Sequence, residues 1–370
     1  MAERSFFFAG GGTGGHIYPA IAVAEQIIRL DAGAKVHFFC SSRDIDAQIL
    51  SKTGFKFTPL PAKSLSARPD KMLSFCKAFL ASCRLAGEKI AENKPAVVTG
   101  VGGFVAAPVC WAAHRLKVPV VLLNVDIVPG RANKIIAHFA DEIFVQFDDT
   151  ATYFVKRKAQ VNVVGCPLRR SFENAKPDAI KDRLGLDKNK KTLLVTGASS
   201  GSRSINEAIC SLLKQLAAFA DRWQIVHLTG KADFEDVRRK YADAKIGGAV
   251  LEYCDDMLDL LAAADLVIGR SGAVSVAEYA ASSVPSICIP YPYHKDRHQY
   301  LNAGKLVEAG AAIMVDDLPQ RTDTAQWLWE ELEPLLTDVD TLKQMKINCA
   351  TIARKDAALK IAKRLLEIGS

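Results

Sequence analysis

An α/β architecture of two Rossmann-like, parallel-sheet halves follows from three features of this 370-residue chain. The first is a regular alternation of short apolar runs with longer amphipathic stretches, which favours parallel strands joined by helices. The second is Phe6-Phe7-Phe8-Ala9-Gly10-Gly11-Gly12-Thr13-Gly14-Gly15-His16, where an apolar strand runs into a glycine loop. The third is Gly269-Arg270-Ser271-Gly272-Ala273-Val274-Ser275-Val276-Ala277-Glu278, again a strand end, a Gly/Ser turn and a helix start. Glycines let backbone N–H groups approach a ligand closely, and the positive end of the following helix favours an anion. Two such cradles predict two halves facing each other across a cleft.

Taken in order, the apolar runs predict strands near residues 6–9, 35–40, 55–60, 96–99, 118–123, 142–146 and 162–164 in the first half. In the second half they fall near 192–196, 224–228, 249–253, 266–268, 286–289 and 312–315. After the first loop, Pro19 suits an opening helical turn, and Ala20, Ile21, Val23, Ala24, Ile27 and Ile28 supply the apolar face. The charged stretch 174–191 separates the halves, so the predicted domains are 1–168 and 169–340, with a helical segment at 341–370. In the second motif, Glu278 lies one to two turns into its helix, where a carboxylate matches a ribose diol while the preceding N–H groups match a diphosphate.

Composition narrows the class. At 49% hydrophobic residues, the chain has ample material for two cores. Nine scattered cysteines, an odd number with no Cys-x-x-Cys pair, argue against a disulfide framework and predict a reducing compartment. Met1-Ala2-Glu3-Arg4-Ser5 leads directly into the first strand without a signal-peptide pattern, and no apolar run reaches bilayer length, so a cytoplasmic location is expected. No cluster of His, Cys, Asp or Glu shows metal-ligand spacing; Asp148-Asp149 and Asp255-Asp256 read as loop or helix-start carboxylates. Neither a metal nor a cofactor is expected.

The net charge of +7 is concentrated. Lys63, Arg68, Lys71, Lys77, Arg84 and Lys89 are opposed only by Asp70 and Glu88, and are interleaved with Leu65, Met72, Leu73, Phe75, Phe79, Leu80 and Leu85. Such a segment lies on an anionic leaflet or packs its apolar stripe on the sheet, and both readings stand at this point. Nucleic acid is not an expected partner, because the aromatic residues form no stacking platform.

Six motifs then bear on identity: Gly11-Gly12-Thr13-Gly14-Gly15-His16, Gly100-Val101-Gly102-Gly103-Phe104, Gly165-Cys166-Pro167-Leu168-Arg169, Gly197-Ala198-Ser199-Ser200-Gly201, Arg270-Ser271-Gly272-Ala273 through Glu278, and His294-Lys295-Asp296-Arg297-His298-Gln299. In this order they resemble the inverting GT-B glycosyltransferases of family 28, most closely the peptidoglycan branch. The resemblance implies transfer of N-acetylglucosamine from UDP-N-acetylglucosamine to an undecaprenyl-pyrophosphate-linked muramoyl-pentapeptide, by an enzyme attached peripherally to the anionic cytoplasmic face of the membrane. It also implies a last helix that crosses back to the first domain. His16 is then the expected general base, its alternative task being contact with the phosphates.

The resemblance implies donor contacts at Thr13, Gly14, Gly15, Asp126, Arg169, Ser199, Cys254, Ala273, Val274, Ser275, Val276, Ala277, Glu278, His298 and Gln299. Arg169, Ser199 and the turn from Arg270 to Ala273 match positions that stabilise the departing β-phosphate; the plain alternatives are a surface salt bridge for Arg169 and a helix cap for Ser199. Membrane contact is expected at Arg68, Lys71, Met72, Phe75, Lys77 and Phe79. The chain departs from the family pattern at Leu123-Asn124-Val125-Asp126 in place of His-Glu-Gln-Asn, at Phe104 in place of tyrosine, and at His298-Gln299 in place of two glutamines. Competing readings are a related transferase acting on another lipid such as diacylglycerol, a non-catalytic sugar-nucleotide-binding protein, and an NAD-dependent oxidoreductase. The last needs an acidic ribose ligand after the second strand, for which Ser41-Ser42-Arg43-Asp44 is a weak candidate.

Overall fold

Thirteen strands form two all-parallel sheets in the computed structural model, which describes residues 4–12, 14–64, 69–169, 175–198, 201–244, 246–318 and 321–370. The chain divides into two units, Met1–Arg170 with Arg354–Ser370, and Ser171–Ala353. In the first, β1 (Ser5–Gly10), β2 (Lys35–Ser41), β3 (Lys56–Leu60), β4 (Val97–Gly102), β5 (Val120–Asn124), β6 (Glu142–Val145) and β7 (Gln160–Val163) pair in the order β3-β2-β1-β4-β5-β6-β7. β1 is buried almost throughout, with Phe7 and Ala9 in one core alongside Val98 and Leu122 from the neighbouring strands. Strands covered on both faces need continuous apolar runs, which is why these segments lack polar alternation.

The second unit repeats the order with β8 (Lys191–Thr196), β9 (Trp223–Leu228), β10 (Gly248–Leu251), β11 (Leu266–Gly269), β12 (Ser286–Cys288) and β13 (Ala312–Met314) as β10-β9-β8-β11-β12-β13. Both sheets therefore reverse direction once, beside β1 and β4 in the first and beside β8 and β11 in the second. Open α/β sheets bind ligands outside the carboxyl ends of the strands at such a reversal.

Two expectations about boundaries change. Arg169 was expected to open the second domain, yet the first unit continues to Arg170. The segment 341–370 is two helices rather than one: Val339–Ile352 stays in the second unit, where the Cys349 thiol lies 3.5 Å from the Val284 carbonyl oxygen, and only Ala357–Ile368 belongs to the first. Extended backbone at Ala353 (ψ 123°) breaks the helix between them. The last helix packs on Gly14–Leu30, and Arg364 ion-pairs with the buried Glu142 of β6.

Candidate active site

At the reversal in the first unit, the loop after β1 delivers His16 to the opening turn of helix Gly14–Leu30, half-buried. Its Nδ1 lies 3.3 Å from the Gly11 carbonyl oxygen; a proton shared there makes Nε2 the basic nitrogen. The ring lies against the end of β4, where Gly102 has φ +124° and a Cβ would stand 2.8 Å from His16 Cδ2. Only glycine serves that backbone and that space. Close by, Asn133 donates to Asn124 Oδ1 at 2.8 Å, and Asn124 donates to the Asp126 carbonyl at 2.6 Å. Asn133 Oδ1 is buried and has no hydrogen-bond partner among the described residues, and it approaches Gly102 on the same side as the imidazole.

Sequence reasoning missed Asp46. Its carboxylate is fully buried and accepts from the Gly12 N–H at 2.8 Å, the Ser41 N–H at 2.9 Å and the Ser41 hydroxyl. Arg43 closes the other side of the loop by donating to the Gly12 carbonyl at 2.8 Å. The acidic residue after β2 is thus turned into the glycine loop, where it holds the backbone that carries His16. A nicotinamide enzyme would need that carboxylate on a ribose and those N–H groups on a diphosphate. Asp46 is committed to the loop, and the candidate that the oxidoreductase reading names, Asp44, stands exposed at the start of helix Asp44–Ser51.

Arg169 stacks on the Tyr18 ring at 4.4 Å, a cation–π contact. Thr13, Arg68 and Ser199 lie outside the described residues, as does the Lys71 side chain.

At the reversal in the second unit an open cavity of about 480 Å³ is lined by Gly197, Ala198 and Gly201 after β8, Arg270 and Gly272 after β11, and Tyr291, Tyr293 and Gln299 beyond β12. Two helix starts, Arg203–Ser211 and Ala273–Ala281, follow these loops, so backbone N–H groups and positive dipole ends converge there. Gly201 (φ +76°) crosses so close to the Thr229 carbonyl that no Cβ fits.

The turn from Arg270 to Ala273 is the expected phosphate-side element, and the Arg270 side chain does not point its charge into the open. Instead its guanidinium is buried: it pairs with Asp317 at 2.7 Å, donates to the Ser202 hydroxyl at 2.7 Å and the Ser204 hydroxyl at 3.0 Å, and donates to the Ile289 carbonyl at 3.0 Å. It braces the cavity wall. The turn is fixed further by Ser271 donating to the Gln299 carbonyl and Tyr279 donating to the Arg270 carbonyl.

Of the expected donor residues, Gln299 lines this cavity, and Ala273, Val274, Ser275, Val276, Ala277 and Glu278 form the helix that starts at its edge, with Glu278 half-buried. Cys254 is not among the lining residues; its thiol is buried, packs 3.9 Å from Arg183 Nη2, and is raised in pKa, by desolvation above all. One grouping of potential metal ligands stands beside the expectation of none. His294, Asp296 and His298 each place one ligand atom within 4.8 Å of the others, a grouping that the spacing His-x-Asp-x-His could have signalled.

The basic segment forms helix Pro69–Asn93, and its two readings divide by face. Ala78, Ser82, Ala86 and Ile90, four residues apart, are buried, and Phe75 and Phe79, expected at a membrane, are half-buried on that same side. On the opposite side Leu73 and Leu80 are 64% and 67% exposed, with Lys77 and Arg84 on the same face; Met72 is exposed as well. Arg84 is paired with Glu88 at 2.9 Å. No helix among the described residues is long and apolar enough to cross a membrane.

The glycosyltransferase family 28 N-terminal domain matches residues 6–145, and the family 28 C-terminal domain matches residues 192–364. A curated relative from Chlorobium limicola is 35% identical over 98% of both chains, and one from Thermodesulfovibrio yellowstonii is 32% identical over 95% of both. Each bears the name UDP-N-acetylglucosamine–N-acetylmuramyl-(pentapeptide) pyrophosphoryl-undecaprenol N-acetylglucosamine transferase. Among solved structures, Acinetobacter baumannii MurG matches with a TM-score of 0.73 at 26% identity, covering 98% of this chain and 99% of that one. The UDP-GlcNAc 2-epimerase of Neisseria meningitidis, solved with UDP-GlcNAc bound, matches at 0.70 and 15% identity over 98% of this chain and all of its own, and shares the fold alone. Matched in both halves by sequence and throughout by fold, the chain belongs to glycosyltransferase family 28, with that family's pair of Rossmann-like domains.

Proposed function

We propose that this protein transfers N-acetylglucosamine, with inversion, from UDP-N-acetylglucosamine to undecaprenyl-pyrophosphate-linked muramoyl-pentapeptide in peptidoglycan synthesis. The observation that carries this reading is the near full-length similarity to relatives that share one printed activity. The cavity at the second reversal supplies a place for the donor. Its helix starts hold the diphosphate, Glu278 accepts from the ribose hydroxyls, and Gln299 of the cavity lining, with His298 next to it in the chain, takes the sugar. Gly14, Gly15, Asp126 and Arg169 are the donor-side residues of the first unit.

In the reaction the acceptor hydroxyl oxygen attacks the anomeric carbon as the bond from that carbon to the β-phosphate oxygen breaks. His16 Nε2 takes the hydroxyl proton, and UDP leaves with the electron pair of the broken bond. N–H groups, helix dipoles and the Arg169 cation stabilise the charge that develops on UDP. Attachment to the cytoplasmic leaflet runs through the outer face of helix Pro69–Asn93, with Met72, Leu73, Leu80 and Lys77 as its contacts.

Incubation with labelled UDP-N-acetylglucosamine and a short-chain lipid I analogue should yield the disaccharide lipid, and diacylglycerol should yield no product. A reversed preference would overturn the acceptor assignment. Thermal shift gives an earlier answer. UDP or UDP-N-acetylglucosamine should stabilise the protein well above NAD, and equal stabilisation by NAD counts against the whole reading.

A further inference from the structure

We propose that His294, Asp296 and His298 form a binding site for one borderline divalent cation of the Zn²⁺ class, at the rim of the cavity in the second unit. Their ligand atoms lie within 4.8 Å of one another. His298 Nδ1 is 2.7 Å from Asp296 Oδ1, and the two imidazole rings are 4.4 Å apart. The backbone makes this grouping possible. Arg297 adopts the left-handed conformation (φ 49°) immediately before helix His298–Glu308, which turns residue 298 back toward 294 and 296. The Arg297 guanidinium is stacked on Tyr300 at 4.2 Å.

A tetrahedral ion with bonds of about 2.0–2.1 Å holds its ligand atoms about 3.3 Å apart. The hydrogen-bonded pair His298–Asp296 therefore opens from 2.7 Å and the more distant atoms close by about 1.5 Å at most, movements that χ rotation of the exposed His294 and Asp296 supplies. Two imidazoles and one carboxylate select zinc, nickel or cobalt over magnesium, which prefers an all-oxygen octahedral shell. Three protein ligands leave a fourth position for water or for an oxygen of whatever occupies the cavity, whose lining includes Tyr291, Tyr293 and Gln299 from the same stretch of chain. This inference rests on the side chains alone and does not depend on the transferase reading.

Untagged full-length protein, stripped with chelator, should be titrated calorimetrically with ZnCl₂ and, separately, with MgCl₂. Zinc should bind one-to-one and magnesium should give no binding heat. His294→Ala and His298→Gln should each weaken zinc binding by about tenfold or more, with circular dichroism and the thermal transition verifying the fold. Cobalt should give a d–d band that zinc bleaches, without a sulfur-to-cobalt charge-transfer band. Absence of zinc binding in the parent would overturn the proposal. So would parent-like affinity in both folded variants, or a charge-transfer band, since either places the ion elsewhere, for example on a cysteine such as the exposed Cys76.

Discussion

His16 and Glu278 carry different burdens, and substitution separates them. A positioned base contributes typically two to four orders of magnitude, so His16→Ala should lower kcat by about 10²- to 10⁴-fold with UDP affinity nearly unchanged. Turnover within a few-fold of the parent would remove the base assignment. Glu278→Ala should instead weaken UDP binding by roughly 1.5–3 kcal/mol, the scale of hydrogen bonds to a charged group, as calorimetry on folded protein would read. Asp46 belongs beside His16 in this account although it lies 30 positions away in sequence. Its two oxygens hold Gly12 and Ser41 together, so the imidazole stands on a loop whose backbone is already anchored.

Helix Pro69–Asn93 illustrates what the 3.6-residue period decides at the scale of one element. Composition marks the segment as basic and apolar, and the period then sends Ala78, Ser82, Ala86 and Ile90 to the core while Leu73, Lys77, Leu80 and Arg84 remain outside. Each cation near an anionic surface contributes on the order of 1 kcal/mol, and Arg84 is already partnered by Glu88, so the exposed leucines carry more of any attachment than charge alone suggests. Replacing Lys71, Lys77 and Arg84 by Gln should reduce co-sedimentation with anionic vesicles and turnover of a long-chain acceptor, and spare a soluble short-chain one. Adding Leu73→Ser and Leu80→Ser should reduce sedimentation further. If the charge variant sediments as the parent does and the leucine changes add nothing, this face is simply a solvated helix surface.

Across the molecule, two units with the same strand order place their glycine loops at equivalent reversals, and each also buries groups that make stability depend on pH. His227 in the second unit is fully buried between Tyr241 Oη and Asn206 Oδ1, both at 3.0 Å, and burial pushes its pKa down to about 3. Between an ordinary value of 6.5 and that level, the unfolded chain binds a proton that the folded chain refuses. Stability is therefore complete above about pH 6.5 and falls as pH drops toward 3, by about 5 kcal/mol over the whole interval. His37 in the first unit adds to the same trend, its pKa lowered to about 4 by desolvation first and then by Lys89 and Lys56. Urea midpoints at pH 7.5 and 4.5 should show the decline, and His227→Gln should flatten it for the second unit. Tryptophan fluorescence in a Trp111→Phe background reads that unit alone, since Trp223, Trp327 and Trp329 all lie within it. An unchanged slope would mean that other groups govern the acid limb.

The sequence by itself determined the thirteen strands, the two glycine-bearing strand ends and the family, because buried parallel strands and tight turns are encoded by residues adjacent in the chain. Only the tertiary structure decided which polar side chains meet. Asp46 reaches Gly12, Arg270 is neutralised by Asp317, and Asn133 carries an oxygen with no partner among the described residues near His16, across separations that no local pattern records. It also decided that the terminal segment breaks at Ala353 and that Phe75 and Phe79 turn toward the core. Periodicity states that a helix has an apolar face, but the surface that buries that face comes from strands and helices far away in sequence.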